Sequence, residues 1–453
     1  MPVAHRTPKR LLRALKAEIL AGCKHPDQRR IGVEWEKLGV RGDTGKALRY
    51  YGPGGVASLF RALIVRHGWT ADQRDRGHIV ALRKGFTRIT LEPGGQIELS
   101  GGPAYCLREN ARELDEHLRE IRSVGRPHGI VWLGLGCQPI SAEASIPWVP
   151  KQRYGIMRRL LRRRGRLTYS MMKRTASLQA SFDFISEQDA VDKYRLATLL
   201  SPFLTAMLAN SPFSEGRPSG YLSYRAHIWR HTDPARSGVL RAALRRDFTI
   251  DDYVNYALDV PMFFVQRGGE LVSVRPATFR QYLRRGCGHL TACREDWQLH
   301  LSTIFTDARL KTYLEVRSID CPPPSLSLAA PTLLKGLLYA PTASRRALKM
   351  LERIDTDHYA ALYRRSPREG LDTRVGRRPA REYALELLRL AASGLSEISA
   401  SRCGERDDKT YLEPLVELLV DRGINPAQAL LRDWEAGGRR DLLGILRRHC
   451  AYA

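Results

Sequence analysis

The sequence lacks long apolar runs, and its cysteines lack the density of an extracellular disulfide framework. No segment approaches the roughly 18 uninterrupted apolar residues of a membrane helix, and residues 8–15 alternate basic and apolar side chains, unlike a signal-peptide core. Eight cysteines are spread over the whole length, so free thiols are expected in place of an extracellular disulfide framework. The 453 residues therefore predict a soluble globular protein of the cytoplasm, with one large domain or two to three ordinary ones.

Acidic residues are also scarce, because 48 of them stand against 74 basic residues, a net charge of +26. The excess is mostly arginine scattered through every segment, for example in 158–164, and no aromatic-interleaved binding motif accompanies it. Specific nucleic-acid binding is therefore not expected. An acidic carrier protein as partner and a simple compositional bias both remain open explanations.

Two acidic stretches, Ile31–Lys37 and Leu91–Pro103, carry glutamates at even separations. Side chains at even separations lie on the same side of an extended strand, so each stretch predicts a strand with one carboxylate-bearing face. In the second stretch, the glutamates flank a Pro-Gly-Gly turn. The four glutamates are Glu34 and Glu36 in the first stretch and Glu92 and Glu98 in the second.

Two further strands, within Thr175–Asp183 and Tyr313–Asp320, also alternate polar and apolar side chains. An isolated pattern of this kind is more often a solvent-facing edge, but four of them in one chain indicate a shared polar cavity. So many carboxylates cannot stay ionised together without cations, because their repulsion raises their pKa values. Hard oxygen ligands favour Mg²⁺, which commonly binds through a few carboxylates and substrate phosphates. The pattern therefore predicts ATP-dependent phosphoryl chemistry.

The polar strands all precede residue 331, and the remainder of the chain is helical in pattern. We therefore expect a catalytic sheet-and-helix region over 1–330 and a helical C-terminal region over 331–453, packed on the same domain. A basic loop and helix over 147–165 is interpreted as a lid near a phosphate. Arg402 and Lys409, between two tail helices, are further candidates for contact with an ATP phosphate.

Five motifs follow one another in register from about residue 25 to the end of the chain. They are Ile31–Lys37, Leu91–Gly101, Asn210–Gly216, Arg225–Trp229 and Ala257–Met262. Together they resemble the glutamate–cysteine ligases of the plant and proteobacterial type. The resemblance implies an α+β, glutamine-synthetase-like fold, in which a curved antiparallel sheet surrounded by helices forms a funnel for ATP, Mg²⁺ and glutamate. It also implies that ATP phosphorylates the glutamate γ-carboxylate and that the amine of cysteine attacks the acyl phosphate.

The resemblance implies a role for individual side chains as well. The metal-ligand candidates are Glu34, Glu36, Glu98 and Glu315, with Glu92 and Gln179 as weaker ones. The catalytic candidates are Glu98 and Arg317, and Arg317 would stabilise the charge on the transferring phosphoryl group. The substrate-binding candidates are Arg225, Trp229, Thr175 and Phe263, of which Arg225 would hold a glutamate carboxylate through its bidentate fork.

The sequence departs from the family pattern beside the substrate. Trp35 stands where a histidine is common, Ala176 where a cysteine is usual, Ser181 where an asparagine is usual, Phe263 where a tyrosine is usual, and Arg230-His231 where a Thr-Asp pair is usual. Loss of the phenol at 263 removes one hydrogen bond, worth about 0.5–1.5 kcal/mol net. Two alternatives therefore stay open: a carboxylate–amine ligase that joins glutamate or an analogue to a different or carrier-bound amine, and an anion-binding protein on a degenerate ligase scaffold.

Overall fold

A computed structural model describes residues 9–274, 277–398 and 408–452. The strands are β1 Ile31–Arg41, β2 Thr70–Asp75, β3 His78–Lys84, β4 Thr87–Leu91, β5 Ile97–Ser100, β6 Ile130–Leu133, β7 Ser177–Phe182, β8 Phe213–Ser214, β9 Arg217–Pro218, β10 Ser237–Gly238, β11 Phe264–Arg267, β12 Glu270–Ser273, β13 Phe305–Thr306, β14 Ala308–Leu310, β15 Leu314–Asp320, β16 Arg374–Val375 and β17 Arg378–Pro379. The α-helices are α1 Lys9–Leu20, α2 Val56–His67, α3 Leu107–Gly125, α4 Gln152–Leu161, α5 Thr168–Arg174, α6 Glu187–Leu208, α7 Tyr224–Arg230, α8 Ile250–Asp259, α9 Phe279–Arg285, α10 Arg294–Leu301, α11 Ala329–Tyr339, α12 Pro341–Leu351, α13 Thr356–Glu369, α14 Ala380–Ile398, α15 Glu413–Val416, α16 Pro426–Ala436 and α17 Leu442–Cys450.

The main sheet has nine strands in the order β14-β15-β7-β1-β5-β4-β3-β2, and β6 pairs with the far half of β1. Its ladders are antiparallel throughout. The first half of β1 lies between β5 and β7, so the first acidic strand of the sequence is the centre of the sheet. The predicted α+β class, with a large antiparallel sheet surrounded by helices, is confirmed.

The alternation along β1 separates a packed face from a polar face. Trp35 is fully buried, and its Nε1–H donates to the Ser327 carbonyl at 3.1 Å. Lys37 lies on the same buried side, and its Nζ donates to the Trp35 carbonyl at 2.8 Å. Because this side is occupied by the core, Glu34 and Glu36 are left on the opposite side of the strand.

The spacing of the glutamates predicts that the second acidic stretch is one extended strand. The structure instead shows two strands joined by a turn. Strand β4 ends at Leu91, β5 begins at Ile97, and the Pro-Gly-Gly segment is the turn that joins them. Gly95 has a φ of +88°, a backbone conformation that glycine adopts without strain. Gly94 lies so close to α5 that a Cβ would be 2.2 Å from the Lys173 carbonyl oxygen. The turn therefore packs on protein backbone, and it brings Glu92 and Glu98 together from two connected strands.

Beyond residue 331, the described part of the chain consists of helices and their connections, apart from the short β16–β17 hairpin. The C-terminal end returns to the main sheet, where Tyr452 N–H donates to the Trp132 carbonyl at 2.9 Å beside β6. Lys409 lies in a 3₁₀ helix, Asp408–Leu412, that packs against α11 and α14. Arg402 lies outside the described residues.

In the ranges given above, no helix is both long enough and apolar enough to cross a membrane. Seven of the cysteines fall in these ranges and all seven are free thiols. Cys403 lies outside them.

Candidate active site

A polar cavity of about 420 Å³ opens on the polar face of the sheet. Carboxylates reach it from β1, from the β4–β5 turn and from β5, whereas most of its cations come from other elements. The carboxylates are Glu34, Glu36, Glu92 and Glu98, and the cations are Arg88, Lys151, Arg153, Arg309, Lys311 and Arg317. Such a cavity can hold a ligand that carries metal ions on one side and several negative charges on the other.

Strand register gathers the carboxylates. Glu36 stands directly opposite Glu98 in the β1–β5 ladder, and Glu34 stands opposite Gln179 in the β1–β7 ladder. Residues opposite one another in antiparallel strands have Cβ atoms about 4.5–5.5 Å apart, and like charges at such positions repel. Glu36 accepts hydrogen bonds from the Ser177 amide at 2.6 Å and from Gln179 Nε2 at 2.9 Å. The register therefore builds a compact patch of oxygen ligands.

Burial and mutual repulsion perturb three of these carboxyl groups. Burial, followed by the charges of Glu98 and Glu315, raises the pKa of Glu34 to about 8. Burial, followed by the charges of Glu36 and Glu98, raises the pKa of Glu92 to about 8 as well. The pKa of Glu36 is raised by burial and by Glu98. A cation bound among these groups would remove the cause of the repulsion.

Glu315 lies below the cavity and does not line it. It is fully buried, and ion pairs join it to Arg309 at 2.5 Å, Arg317 at 2.7 Å and Lys311 at 3.4 Å. Although burial raises its pKa, these three cations hold the pKa well below the ordinary value. Arg317 also donates from Nη1 to Gln179 Oε1. Glu315 therefore anchors three cations whose side chains line the cavity.

A small side pocket of about 20 Å³ adjoins the cavity through Trp229, Phe305 and Arg317, which line both. Several buried polar atoms around it have no hydrogen-bond partner in the described structure. They are Arg225 Nε, Trp229 Nε1, Arg230 Nη1, Arg317 Nε and Ser318 Oγ. Buried polar groups are normally paired, and an unpaired one costs about 1–3 kcal/mol. This concentration of unpaired donors indicates a subsite for an anionic group of a ligand.

The donor chemistry of the cavity fits a hard cation. The candidate ligands are carboxylate and amide oxygens, without thiolate or imidazole, and such oxygen sets suit Mg²⁺. Over the described ranges, no group of three or more His, Cys, Asp or Glu side chains is arranged to hold a metal ion. Mg²⁺ usually binds through one or two carboxylates together with water and substrate phosphates, so a site of this kind does not need such a group.

Comparison with known proteins identifies the family. Residues 30–444 match the sequence family described as glutamate-cysteine ligase family 2. The chain belongs to this family. Glutamate–cysteine ligase B, chloroplastic, of Oryza sativa subsp. japonica is 37% identical to this chain over 432 residues. The aligned region covers 94% of this chain and 85% of the rice protein. The Arabidopsis thaliana chloroplastic glutamate–cysteine ligase is 37% identical over 421 residues, 92% of this chain and 78% of that protein.

A solved structure shares the fold of this family member. The crystal structure of a glutamate–cysteine ligase from Francisella tularensis in complex with AMP aligns with a TM-score of 0.55 and 13% identity, and it covers 93% of this chain and 88% of that chain. At this identity, the likeness establishes the fold alone. The family resemblance inferred from the five sequence motifs is confirmed by the sequence relatives.

The structure brings together most of the site residues that were predicted from the sequence of this ligase-family chain. Glu34, Glu36, Glu92, Glu98, Gln179, Thr175, Trp229 and Arg317 line the cavity. Arg225 lies in the side pocket, where its Nη2 donates to the Arg317 carbonyl at 2.9 Å. Phe263 lines a neighbouring groove and is 2% exposed. Lys409, on the 3₁₀ helix described above, is not among the cavity-lining residues.

Asp183, the last residue of the alternating stretch identified in the sequence, directly follows β7. It accepts a hydrogen bond from the Arg30 amide at 2.6 Å and pairs with Lys24 at 2.8 Å. Its oxygens therefore fix the entry into β1, and they do not face the cavity.

Sequence reasoning missed most of the cavity's cations. Arg309 and Lys311 occupy alternate positions at β14, and Arg309 stands opposite Glu315 in the β14–β15 ladder. A complementary charge pattern in the segment 309–317 is the local signal that could have identified them. Lys151 and Arg153, from the segment interpreted as a lid, also reach the cavity. They were hidden because arginine and lysine are abundant everywhere in the chain.

Proposed function

We propose that the chain is an ATP- and Mg²⁺-dependent glutamate–cysteine ligase, which joins the γ-carboxylate of glutamate to the amine of cysteine through a γ-glutamyl phosphate. The observation that carries the proposal is the division of one cavity into four carboxylates and six cations. Metal-bound ATP presents this charge distribution in reverse, since its metal ions seek carboxylates and its phosphates seek guanidinium and ammonium groups. The family of the chain supports this activity.

The carboxylate patch would hold the metal through Glu34, Glu36 and Glu98, with Glu92 and Gln179 beside them. Bound Mg²⁺ would supply charge neutralisation between the triphosphate and the γ-carboxylate. The side chains contribute rigidity, because Glu36 is already fixed by the Ser177 amide and Gln179. Glu98 accepts hydrogen bonds from the hydroxyls of Thr90 and Ser100, each at 2.9 Å. These contacts orient the carboxylates before a ligand arrives.

Arg317 would stabilise the transferring phosphoryl group. Its guanidinium lines the cavity, and Glu315 and Gln179 fix its orientation. A donor held in place before the reaction needs no reorganisation when charge develops, and such donors contribute most to stabilising a transition state. Glu315 would then act as a positioning residue, because a role as metal ligand requires it to give up one of its ion pairs.

The side pocket would hold the α-carboxylate of glutamate. Arg225 Nε and Trp229 Nε1 are buried there without partners, and the Arg225 guanidinium lies 5.8 Å from the Trp229 ring. A carboxylate bound here would satisfy both donors and extend its γ-carboxylate toward the cavity through the shared wall at Arg317. Thr175, in the cavity wall, would contact the substrate chain.

The acceptor amine has a second candidate besides cysteine. Phe263 offers no hydroxyl, and its ring is covered by the Arg236 guanidinium 3.7 Å away. An altered wall here favours a related ligase that joins glutamate or an analogue to a different amine. The relatives named above give no support to a carrier protein. A cytoplasmic location stays a prediction, since those plant relatives bear chloroplastic names.

ADP release tests the proposal. We expect release only when glutamate, cysteine and Mg²⁺ are present together, with a product of the mass of γ-glutamylcysteine. Glu98→Gln should abolish it, whereas Glu435→Gln, at an exposed position of α16, should leave it unchanged. Turnover with another amine in the absence of cysteine would establish the second candidate. No ADP release with any amine, or full activity of Glu98→Gln, would refute both.

A further inference from the structure

A groove beside the cavity carries positive charge that the proposed ligation does not use. Its volume is about 840 Å³, and we call it the arginine groove. Apolar side chains and Tyr169 line it together with six arginines, and none of its lining residues is acidic. The residues are Gly155, Arg158, Arg159, Leu160, Arg162, Arg163, Arg164, Tyr169, Arg236, Pro261, Met262 and Phe263.

The arginines are held on a well-anchored segment. Helix α4 buries Tyr154 and Met157, which line the cavity, so its opposite side presents Arg158 and Arg159 to the groove. The turn that follows α4 is fixed at Gly165, where a Cβ would be 1.6 Å from the Thr232 carbonyl oxygen. The amide of residue 167 then donates to the carbonyl of residue 231 at 3.1 Å. The backbone that carries the arginines is therefore fixed before a ligand binds, and only the exposed side chains lose freedom on binding.

Five of these arginines have no counter-charge among the residues that the structure describes. Arg158, Arg159, Arg162, Arg163 and Arg164 are exposed, and within the described part of the chain none of them forms an ion pair with a carboxylate. Arg236 differs, because its Nε pairs with Asp233 at 2.8 Å and its Nη2 donates to the Pro261 carbonyl at 2.6 Å. Like charges this close together repel one another, and together they attract a multiply charged anion. The groove is therefore built for an anionic ligand with several charges.

The aromatic rings of the groove argue against a nucleic acid. Proteins that bind single strands stack bases on open aromatic faces. Here the Arg158 guanidinium lies 5.8 Å from the Tyr169 ring, and Arg236 covers Phe263, which is 2% exposed. Guanidinium forks pair bidentately with carboxylates, and the apolar surface of Pro261 and Met262 suits the aliphatic part of acidic side chains. We infer that the arginine groove binds an acidic peptide segment of a partner protein.

Binding of a fluorescein-labelled hexaglutamate peptide, followed by fluorescence anisotropy at low salt, tests the inference. The groove variant is Arg158→Ser/Arg162→Ser/Arg163→Ser. The control variant, Arg345→Ser/Arg346→Ser/Arg353→Ser, removes the same charge from exposed positions in and just after α12. We expect saturable binding that is at least about tenfold weaker in the groove variant and changes less than about twofold in the control. The melting temperatures of both variants verify that they are folded.

Three outcomes would overturn the inference. Absence of saturable binding to the unaltered protein would show that the groove takes no acidic peptide. Equal weakening in the two variants would show attraction by overall charge alone. Tighter, groove-dependent binding of inorganic triphosphate or of a short oligothymidylate, at matched concentration, would assign the groove to phosphate ligands. Because none of the three substituted arginines lines the ligation cavity, ADP release in the groove variant should equal that of the unaltered protein whichever result is found.

Discussion

Replacing Glu315 by Gln separates the anchoring role of this carboxylate from a role as metal ligand. The variant keeps the volume of the side chain but leaves Arg309, Lys311 and Arg317 facing a neutral amide. Removing one partner of a buried ion pair typically costs about 3–5 kcal/mol, because the remaining charge is buried without compensation. The amide oxygen retains one acceptor, so we expect about 3 kcal/mol of destabilisation.

Differential scanning calorimetry in EDTA measures this loss without any contribution from bound metal. About 3 kcal/mol corresponds to a fall in melting temperature of roughly 3 °C for a chain of this size. Glu315→Asp keeps the charge and should lose less. Glu98→Gln is the matched control, since Glu98 pairs with no cation in the described structure and accepts only from the hydroxyls of Thr90 and Ser100. Its melting temperature in EDTA should be unchanged or higher, because repulsion with Glu36 is relieved.

The opposite pattern would refute the reasoning. If Glu315→Gln has the same melting temperature as the unaltered protein in EDTA but no longer gains stability from Mg²⁺, Glu315 is a metal ligand and its ion pairs contribute little to stability. If both variants lose the same stability in EDTA, the cavity carboxylates act as one structural unit, and the distinction between anchor and ligand is wrong.

Three further predictions follow from the same contacts. Mg²⁺ at about 100 times its Kd should stabilise the protein by about 2.7 kcal/mol relative to EDTA, and calorimetry should show no such gain for Glu98→Gln; an equal gain would place the metal elsewhere. Arg225→Lys keeps the charge but loses the fork, so the KM for glutamate should rise about 10-fold or more with little change in kcat; an unchanged KM would exclude Arg225 from the glutamate subsite. Asp296 is buried, which raises its pKa, but hydrogen bonds from Arg267 at 2.7 Å and from the Cys293 amide lower the pKa below the ordinary value of 3.8. A carboxyl group with a lowered pKa stabilises the fold at pH values above its pKa in the unfolded chain, and this stabilisation is lost as the pH falls through its pKa in the folded chain. Urea unfolding should therefore show that Asp296→Asn is less stable than the unaltered protein at pH 7, and the difference should shrink below about pH 4. A difference that stays constant with pH would contradict the assignment.

The sequence alone predicted the polar faces of single strands with success. The positions of Glu34 and Glu36 on one side of β1, and of Trp35 and Lys37 on the other, follow from the two-residue period of an extended chain. Such periods are local, so they can be read without knowing any partner strand. The family was also evident from the sequence, because five short motifs occur in a fixed order.

The stretch from Leu91 to Ser100 shows where local reading failed. An even spacing of glutamates suggested one strand, but the positive φ of Gly95 and the packing of Gly94 on α5 make a hairpin. Glu92 and Glu98 still reach one cavity, for a different reason from the one that the spacing suggested. Turn chemistry outweighed the alternation pattern here.

Tertiary structure alone decided which faces meet. The pairing of Glu36 with Glu98, the contact of Arg317 with Gln179 and the burial of Glu315 under Arg309 each join segments that are distant in sequence or belong to different strands. Register and strand order depend on the packing of the whole core, and a shift of one residue would turn every side chain of a strand to the other face. The sequence by itself therefore determined the chemical groups and the family, whereas the fold determined which carboxylates share the cavity and which one anchors its cations.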